Sequence, residues 1–372
     1  MRHVARLSLT AACVAIVLGC ASGTVFAQSS LTLFGTMDAG VTYVSNEKGH
    51  SATLLSTGNL IPNFWGLRGS EDLGGGTRAI FLLMNQYNLG NGTTIGNPSG
   101  LFARNAWVGI ANDRWGTLTA GQQYDFMYDS LTAAGLETGS LFAGFFNYRN
   151  GPFGALGIPG NPTGSADFDR VAGTMRVSNS IKYTSANYRG FSFGALYGFG
   201  NQPGAVSVDN TISFGANYRH GSFVAGLAYT EQKYAQFNNG HDGMRNWGAG
   251  ARYAFGTVTG NLLFTNTRNT LSGAMIDAVE AGVDWHVSPA WSLGGDYQYW
   301  KGDATLTNNS AQQVAATLRY VLSKRTLVYV EGMYQHAQGP DAHAAINGLC
   351  GVNCASSGRN QYLATLGMAT RF

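Results

Sequence analysis

The feature that most limits this chain is an alternation with a period of two that returns along almost its whole length. From Ala278 to Val287 the odd positions carry Val279, Ala281, Val283, Trp285 and Val287, and the even ones Ala278, Glu280, Gly282, Asp284 and His286. From Trp291 to Tyr299, Trp291, Leu293, Gly295, Tyr297 and Tyr299 alternate with Ser292, Gly294, Asp296 and Gln298. From Phe191 to Phe199, Phe191, Phe193, Ala195, Tyr197 and Phe199 alternate with Ser192, Gly194, Leu196 and Gly198. Side chains of a β-strand point to opposite faces in turn, so each stretch reads as a strand with one apolar face and one polar or small face. Beyond residue 27 no segment sustains a helical period or a long apolar run.

Tight turns and longer polar loops separate these stretches. The tight turns include Gly74-Gly75-Gly76, Tyr188-Arg189-Gly190, Arg219-His220-Gly221 and Ser323-Lys324-Arg325; the longer loops include Glu47-Lys48-Gly49-His50, 201–207, 232–244 and 338–358. Strands are expected near 30–45, 60–72, 77–89, 101–112, 117–124, 176–187, 191–200, 209–218, 222–231, 245–255, 257–268, 277–287, 291–300, 311–322, 326–337 and 359–372, sixteen in all. Strands of roughly ten residues with short and long connections in turn are the pattern of a transmembrane barrel.

Composition narrows the choice. Charged residues make up 12%, about half of the roughly 25% of soluble domains. Aromatics are 12% and glycine 52 residues, and the net charge is only +3. A disordered chain carries more charge and fewer rings, and a nucleic-acid binder needs a strongly basic surface. A mean hydropathy of −0.07 is too polar for a bundle of membrane helices. A soluble sandwich or secreted adhesin also alternates, but it hides its apolar faces in one shared core. Here Tyr, Trp and Phe gather near strand ends, as in the girdles of a membrane barrel, and lipid cannot satisfy an open sheet edge. The reading is an all-β, 16-stranded antiparallel transmembrane β-barrel.

Met1 to Ala27 reads as a cleaved signal peptide. Arg2 and Arg6 precede an apolar run from Leu7 to Leu18, too short for a membrane span of about 20 residues, and Val25-Phe26-Ala27 offers a small-residue cleavage site. A lipoprotein signal ending at Cys20 is the rival reading. Residues 28–372 are then a single barrel domain. Of four cysteines, Cys350 and Cys354 remain, and in an oxidising compartment a small loop disulfide between them is expected.

With these features in place, the chain resembles the general, trimeric, sixteen-stranded porins of Gram-negative bacteria. The resemblance rests on Leu31-Thr-Leu-Phe-Gly-Thr-Met-Asp-Ala-Gly-Val-Thr-Tyr43, Gly66-Leu-Arg-Gly-Ser-Glu-Asp-Leu-Gly74, Arg104-Asn-Ala-Trp-Val-Gly-Ile110, Asn179-Ser-Ile-Lys-Tyr183, Ser323-Lys-Arg-Thr326 and the terminal Phe372, which occur in the family's order across the whole exported chain. It implies passive diffusion of small hydrophilic solutes and ions through a water-filled outer-membrane channel, and a homotrimer. It also implies a long third loop folded inward, and recognition of Phe372 by the barrel-assembly machinery. A substrate-selective channel is the alternative. Independently, about 50 residues between Tyr124 and Arg176 lack a convincing strand yet are rich in Phe, Gly and Leu. A loop that greasy is better tucked against the inner wall than held in solvent, although an external lid would also shield it.

A porin has no reaction to catalyse; its chemistry is the field at the narrowest cross-section. By resemblance, Arg104 and Arg176 match two constriction arginines. Strand parity also sets Arg104 opposite Trp107, and Arg176 opposite Ile181 and Tyr183, with Arg68 and Lys182 sharing the inward phase. Acids for the facing loop are Asp125, Asp129 and Glu137, ahead of Asp167 and Asp169. Three departures stand out. Phe64 occupies the place of an expected arginine, Leu82 and Met84 take the inward phase where a glutamate is usual, and Gly121-Gln122-Gln123 replaces Gly-Arg-Gln. Loss of charge of both signs predicts a pore that is narrower or less ion-selective, suited to less polar solutes. The histidines are scattered, so no metal, cofactor or enzymatic site is expected.

Overall fold

A computed structural model of the chain describes residues 30–96, 100–139, 144, 149–346 and 355–372. The signal segment and the Cys350–Cys354 pair lie outside the described residues.

The chain forms β1 (Ser30–Glu47), β2 (His50–Thr57), β3 (Phe64–Gly74), β4 (Thr77–Tyr87), β5 (Thr94–Ile95), β6 (Asn105–Asn112), β7 (Gly116–Gln123), β8 (Val177–Thr184) and β9 (Phe191–Gly198). It continues with β10 (Thr211–His220), β11 (Phe223–Lys233), β12 (Gly243–Phe255), β13 (Val258–Asn269), β14 (Met275–His286), β15 (Trp291–Gly302), β16 (Ser310–Val321), β17 (Thr326–Gln338) and β18 (Asn360–Arg371). All pairings are antiparallel, and β1 meets β18 from Thr36↔Arg371 to Val44↔Leu363, so the sheet closes.

The wall has sixteen strands because β2 and β3 are two halves of one and the two-residue β5 only extends β4, which pairs directly with β6. β1 pairs with β2 through Ala39–Glu47 and with β3 through Ser30–Thr36. Between the halves, residues 58–63 leave the ladder, and the Asp38 carboxylate accepts hydrogen bonds from the Leu60 and Ile61 amides at 3.0 and 2.9 Å and from the Tyr329 hydroxyl at 2.7 Å. The second strand therefore begins ten residues before the expected 60, and Glu47-Lys48-Gly49-His50 is a tight hairpin turn rather than a long loop. Lys48 and Gly49 both take positive φ there, 54° and 101°. That geometry suits the twist of a two-residue hairpin, which apolar periodicity cannot report. β5 is a short ladder on the end of β4.

The alternation sorts side chains as expected. Val279, Val283 and Trp285 are exposed on the outer face, while Ala278 and Glu280 between them are buried. Leu31, Leu33, Leu262, Val330 and Leu366 repeat the exposure on other strands, an apolar exterior that hydrocarbon solvates and water does not.

In the two largest buried apolar clusters, residues of the long segment after β7 meet residues of the wall. Phe126, Met127, Leu131, Leu136 and Val171 pack on Val177, Leu196, Val224, Ala228 and Leu263. Phe153, Leu156, Ile158 and Phe168 pack on Met244, Ile276, Ala278, Trp300 and Ala311. Gly194 and Gly215, paired in register, make room for Phe126, whose ring a Cβ at either position would strike. Burying each such Phe or Leu is worth about 1.5–3 kcal/mol, enough to hold a loop with little regular structure in place.

Candidate functional site

The segment rests on β8–β16, and a cavity of about 550 Å3 stays open beside β3–β8. Phe64, Leu82, Met84, Arg104, Trp107, Tyr124, Tyr128, Asp129 and Lys182 are among its lining residues.

Arg104 reaches this cavity by a route that parity does not predict. Trp107 stands opposite Leu82 on the inner face, while Val108 and Ile110 are exposed outside. Strict alternation back from Trp107 would turn Arg104 outward. The strand begins only at Asn105, however, and Arg104 lies in the preceding bend, its amide bonded to the Met84 carbonyl at 3.2 Å and its side chain 8% exposed. Arg176 is similar. A bulge at Gly121 (φ 137°) and Asn179 (φ 50°) shifts the phase between β7 and β8, so that Val177 is buried inside with Lys182. Arg176 precedes the strand and also turns inward. Both arginines sit just outside regular strands, so irregular backbone rather than strand parity sets where their side chains lie.

The two guanidiniums converge on one acceptor. Arg104 Nη1 donates to Gln86 Oε1 at 2.5 Å, and Arg176 Nη2 donates to the same oxygen at 3.1 Å and to the Tyr124 hydroxyl at 3.0 Å. Arg104 Cζ sits 5.1 Å from the Phe64 ring centre and 5.8 Å from that of Tyr124, and Arg176 Cζ 5.0 Å from Tyr124. Tyr124 stacks on Tyr128 at 4.0 Å. Burial, with Tyr124 beside it, pushes the Tyr128 hydroxyl up to about 12, so it stays neutral. Arg68 lies on the same face toward the tight-turn end, 5.3 Å from the centre of Phe34.

The expected acids are paired with other cations, although Asp129 shares the cavity with Arg104. Asp125 pairs with Arg170 of the same segment at 2.5 Å, and Asp129 pairs with Lys182 of the wall. Arg149 bridges Asp169 at 3.2 Å and the wall carboxylate Glu280 at 2.6 Å. Glu137 is buried within the field of Arg149. Burial works against the charge on Arg149, yet Asp169, Glu280, Glu137 and Asp296 together carry its pKa upward. Burial raises Asp129, with Lys182 opposing, and raises Asp169, with Arg149 opposing. Asp167 is fully buried and accepts from the Ala172 and Thr174 amides at 2.9 Å each; burial and Asp169 push it up to about 6. Among the described residues, no carboxylate lies within ion-pairing distance of Arg68 or Arg176.

The sequence pattern does not single out Gln86 or Tyr124, although Gln86 continues the inward phase of Leu82 and Met84. Nor does it mark Arg149 and Arg170, whose place in the same segment as the acids is the one available signal.

Residues 10–340 match the family described as Gram-negative porin. The chain is 31% identical to outer membrane porin protein 32 of Delftia acidovorans, over 85% of this chain and 86% of that one. It is 28% identical to an outer membrane porin protein of Bordetella pertussis, over 84% of this chain and 90% of that one. Its fold superposes with a TM-score of 0.76 on an anion-selective porin from Comamonas acidovorans, at 24% identity, covering 93% of this chain and all of that one.

Proposed function

The chain belongs to the Gram-negative porin family and is an outer-membrane channel protein, and from that premise we propose that it passes small hydrophilic solutes by diffusion with a preference for anions. The observation that carries this is the convergence of Arg104 and Arg176 on Gln86 Oε1 while Asp125 and Asp169 pair with Arg170 and Arg149, and Asp129, in the cavity, is paired with Lys182. Charge of one sign at a narrow, low-dielectric passage concentrates the opposite ion there. The sequence, counted residue by residue, argues for weak selectivity; the pairing pattern argues otherwise, because it matches these acids with other cations and gathers the arginines. The Comamonas porin of similar fold is described as anion-selective, which agrees with this reading.

The segment 125–175 narrows the channel in this proposal; its packing against buried residues of the wall such as Val177, Leu263, Ile276 and Ala311 supports this. The functional unit is a homotrimer set in outer-membrane lipid. Within β1–β8 the large exposed apolar side chains are aliphatic or, at Met37, a thioether, with Tyr43 and, in the β6–β7 turn, Trp115 the exceptions, whereas β9–β18 expose Phe191, Phe214, Trp247, Trp285, Trp291, Tyr297 and other rings. Rings belong at the lipid headgroups, so the face without them is the one that meets other copies. The chain is exported by its signal peptide. Phe372, paired with Gly35 at the seam of β1 and β18, serves the assembly machinery.

The test is the reversal potential of the purified protein in a planar bilayer under a potassium chloride gradient. Chloride preference is expected, reduced in Arg104→Ser and Arg176→Ser. Equal permeability of the two ions, or cation preference, overturns the proposal.

A further inference from the structure

The inner wall carries a continuous alternation of rings and guanidiniums. Arg68 lies over Phe34 at 5.3 Å, and Phe34 meets Phe64 edge-on at 6.0 Å. Phe64 holds Arg104 at 5.1 Å, Arg104 lies 5.8 Å from Tyr124, and Tyr124 holds Arg176 at 5.0 Å. Phe64 and Arg68 are four residues apart on β3, about 13 Å along the strand, so the series runs along the passage as well as around it.

A guanidinium lying face-on to a ring keeps its N–H edge for partners in its own plane, and stacking removes much of the freedom that a bound anion would otherwise have to freeze. Arg176 Nε is shielded from water and has no hydrogen-bond partner. Of the two converging arginines Arg104 lines the cavity, one side of which is apolar, made by Phe64, Leu82, Met84 and Trp107, while Thr119, Gln123 and the Asp129–Lys182 pair make a polar side. Its volume of about 550 Å3 accepts a single-ring solute.

We propose that this wall is a binding track for aromatic carboxylates, the carboxylate held on guanidinium edges and the ring on the apolar side of the cavity. An inorganic anion or acetate satisfies only the arginines, and a neutral ring satisfies only the apolar wall; an aryl carboxylate satisfies both. The departures at Phe64, Leu82 and Met84 then gain a purpose, since they supply the surface that a fully charged constriction lacks. The inference rests on the anion preference proposed above.

The experiment measures chloride current through the purified protein in a planar bilayer while sodium benzoate, sodium acetate or benzamide is added. Benzoate is expected to reduce the current at a concentration about tenfold or more below acetate, and benzamide to leave it unchanged. Phe64→Arg is expected to weaken the benzoate effect while raising chloride preference, a pair of opposite shifts that misfolding does not produce. Leu82→Ser, a smaller change, is expected to weaken benzoate alone. Benzoate acting no better than acetate on a chloride-preferring wild-type channel overturns the track and leaves the anion reading standing. A cation-preferring wild-type channel overturns both.

Discussion

Asp167 shows how much of the inner segment depends on a single carboxyl group. It holds a positive φ of 51° and accepts from the Thr174 hydroxyl at 2.6 Å as well as from two amides, all without solvent contact. Its pKa is raised in the folded chain to about 6, so the folded state binds its proton more tightly than the unfolded state does. Stability from this group is complete below the unfolded carboxylate range near pH 4 and is lost as pH rises through about 6. Between pH 7 and pH 4.5 the purified barrel is therefore expected to gain on the order of 2 kcal/mol from Asp167. Thermal unfolding across that window measures it, and in Asp167→Asn the slope should fall by about one proton. The residue scale is also where the sequence is least legible. Arg104 and Arg176 stand out in it, but the parity argument for them fails because both sit in bends just outside strands, where alternation no longer applies. The facing acids fail for a different reason: sequence distance does not reveal that Asp125 meets Arg170, or that Arg149 spans Asp169 and Glu280.

At the scale of elements, β14 positions the long segment through one side chain. Glu280 Oε1 accepts from the Thr138 amide at 2.8 Å and from its hydroxyl at 3.1 Å, and Oε2 accepts from Arg149 at 2.6 Å, so a single carboxylate holds the outgoing and returning limbs together. Removing it takes away the 2.6 Å ion pair of an Arg149 side chain that is only 2% exposed. Breaking a buried pair costs about 3–5 kcal/mol. Glu280→Ala is expected to make the segment protease-sensitive and the single-channel current noisy, whereas Glu280→Gln, which keeps an oxygen for Thr138, gives a smaller effect. The strand itself is legible: the sorting of Val283 and Trp285 from Glu280 and Asp284 follows from the two-residue period. Its check is a pair of cysteine variants. Val283→Cys should react with a lipid-soluble thiol reagent and Asp284→Cys with a water-soluble one; the reverse pattern would refute the orientation of the wall.

At the scale of the molecule, the unequal distribution of rings divides the exterior into two faces. Val108 and Leu262 are both exposed, at 62% and 64%, yet one lies on the ring-poor arc and the other among aromatics. Val108→Arg is expected to convert unheated trimers to monomers on a denaturing gel. Leu262→Arg should leave the trimer intact while costing about 2–4 kcal/mol of barrel stability, as a cation on a lipid face does. The strand number, the alternating turns and the closed barrel can be read in advance because one repeated rule governs the whole wall. The division of the second strand into β2 and β3 cannot, because it answers to Asp38 and Tyr329, which come together only once the sheet has curved round on itself. That curvature joins the first strand to the last: Gly35 and Phe372 exchange backbone hydrogen bonds at 3.1 Å each. A polypeptide released early from the ribosome would lack the piece that seals the cylinder and expose two raw edges to hydrocarbon, so full synthesis is a precondition of insertion.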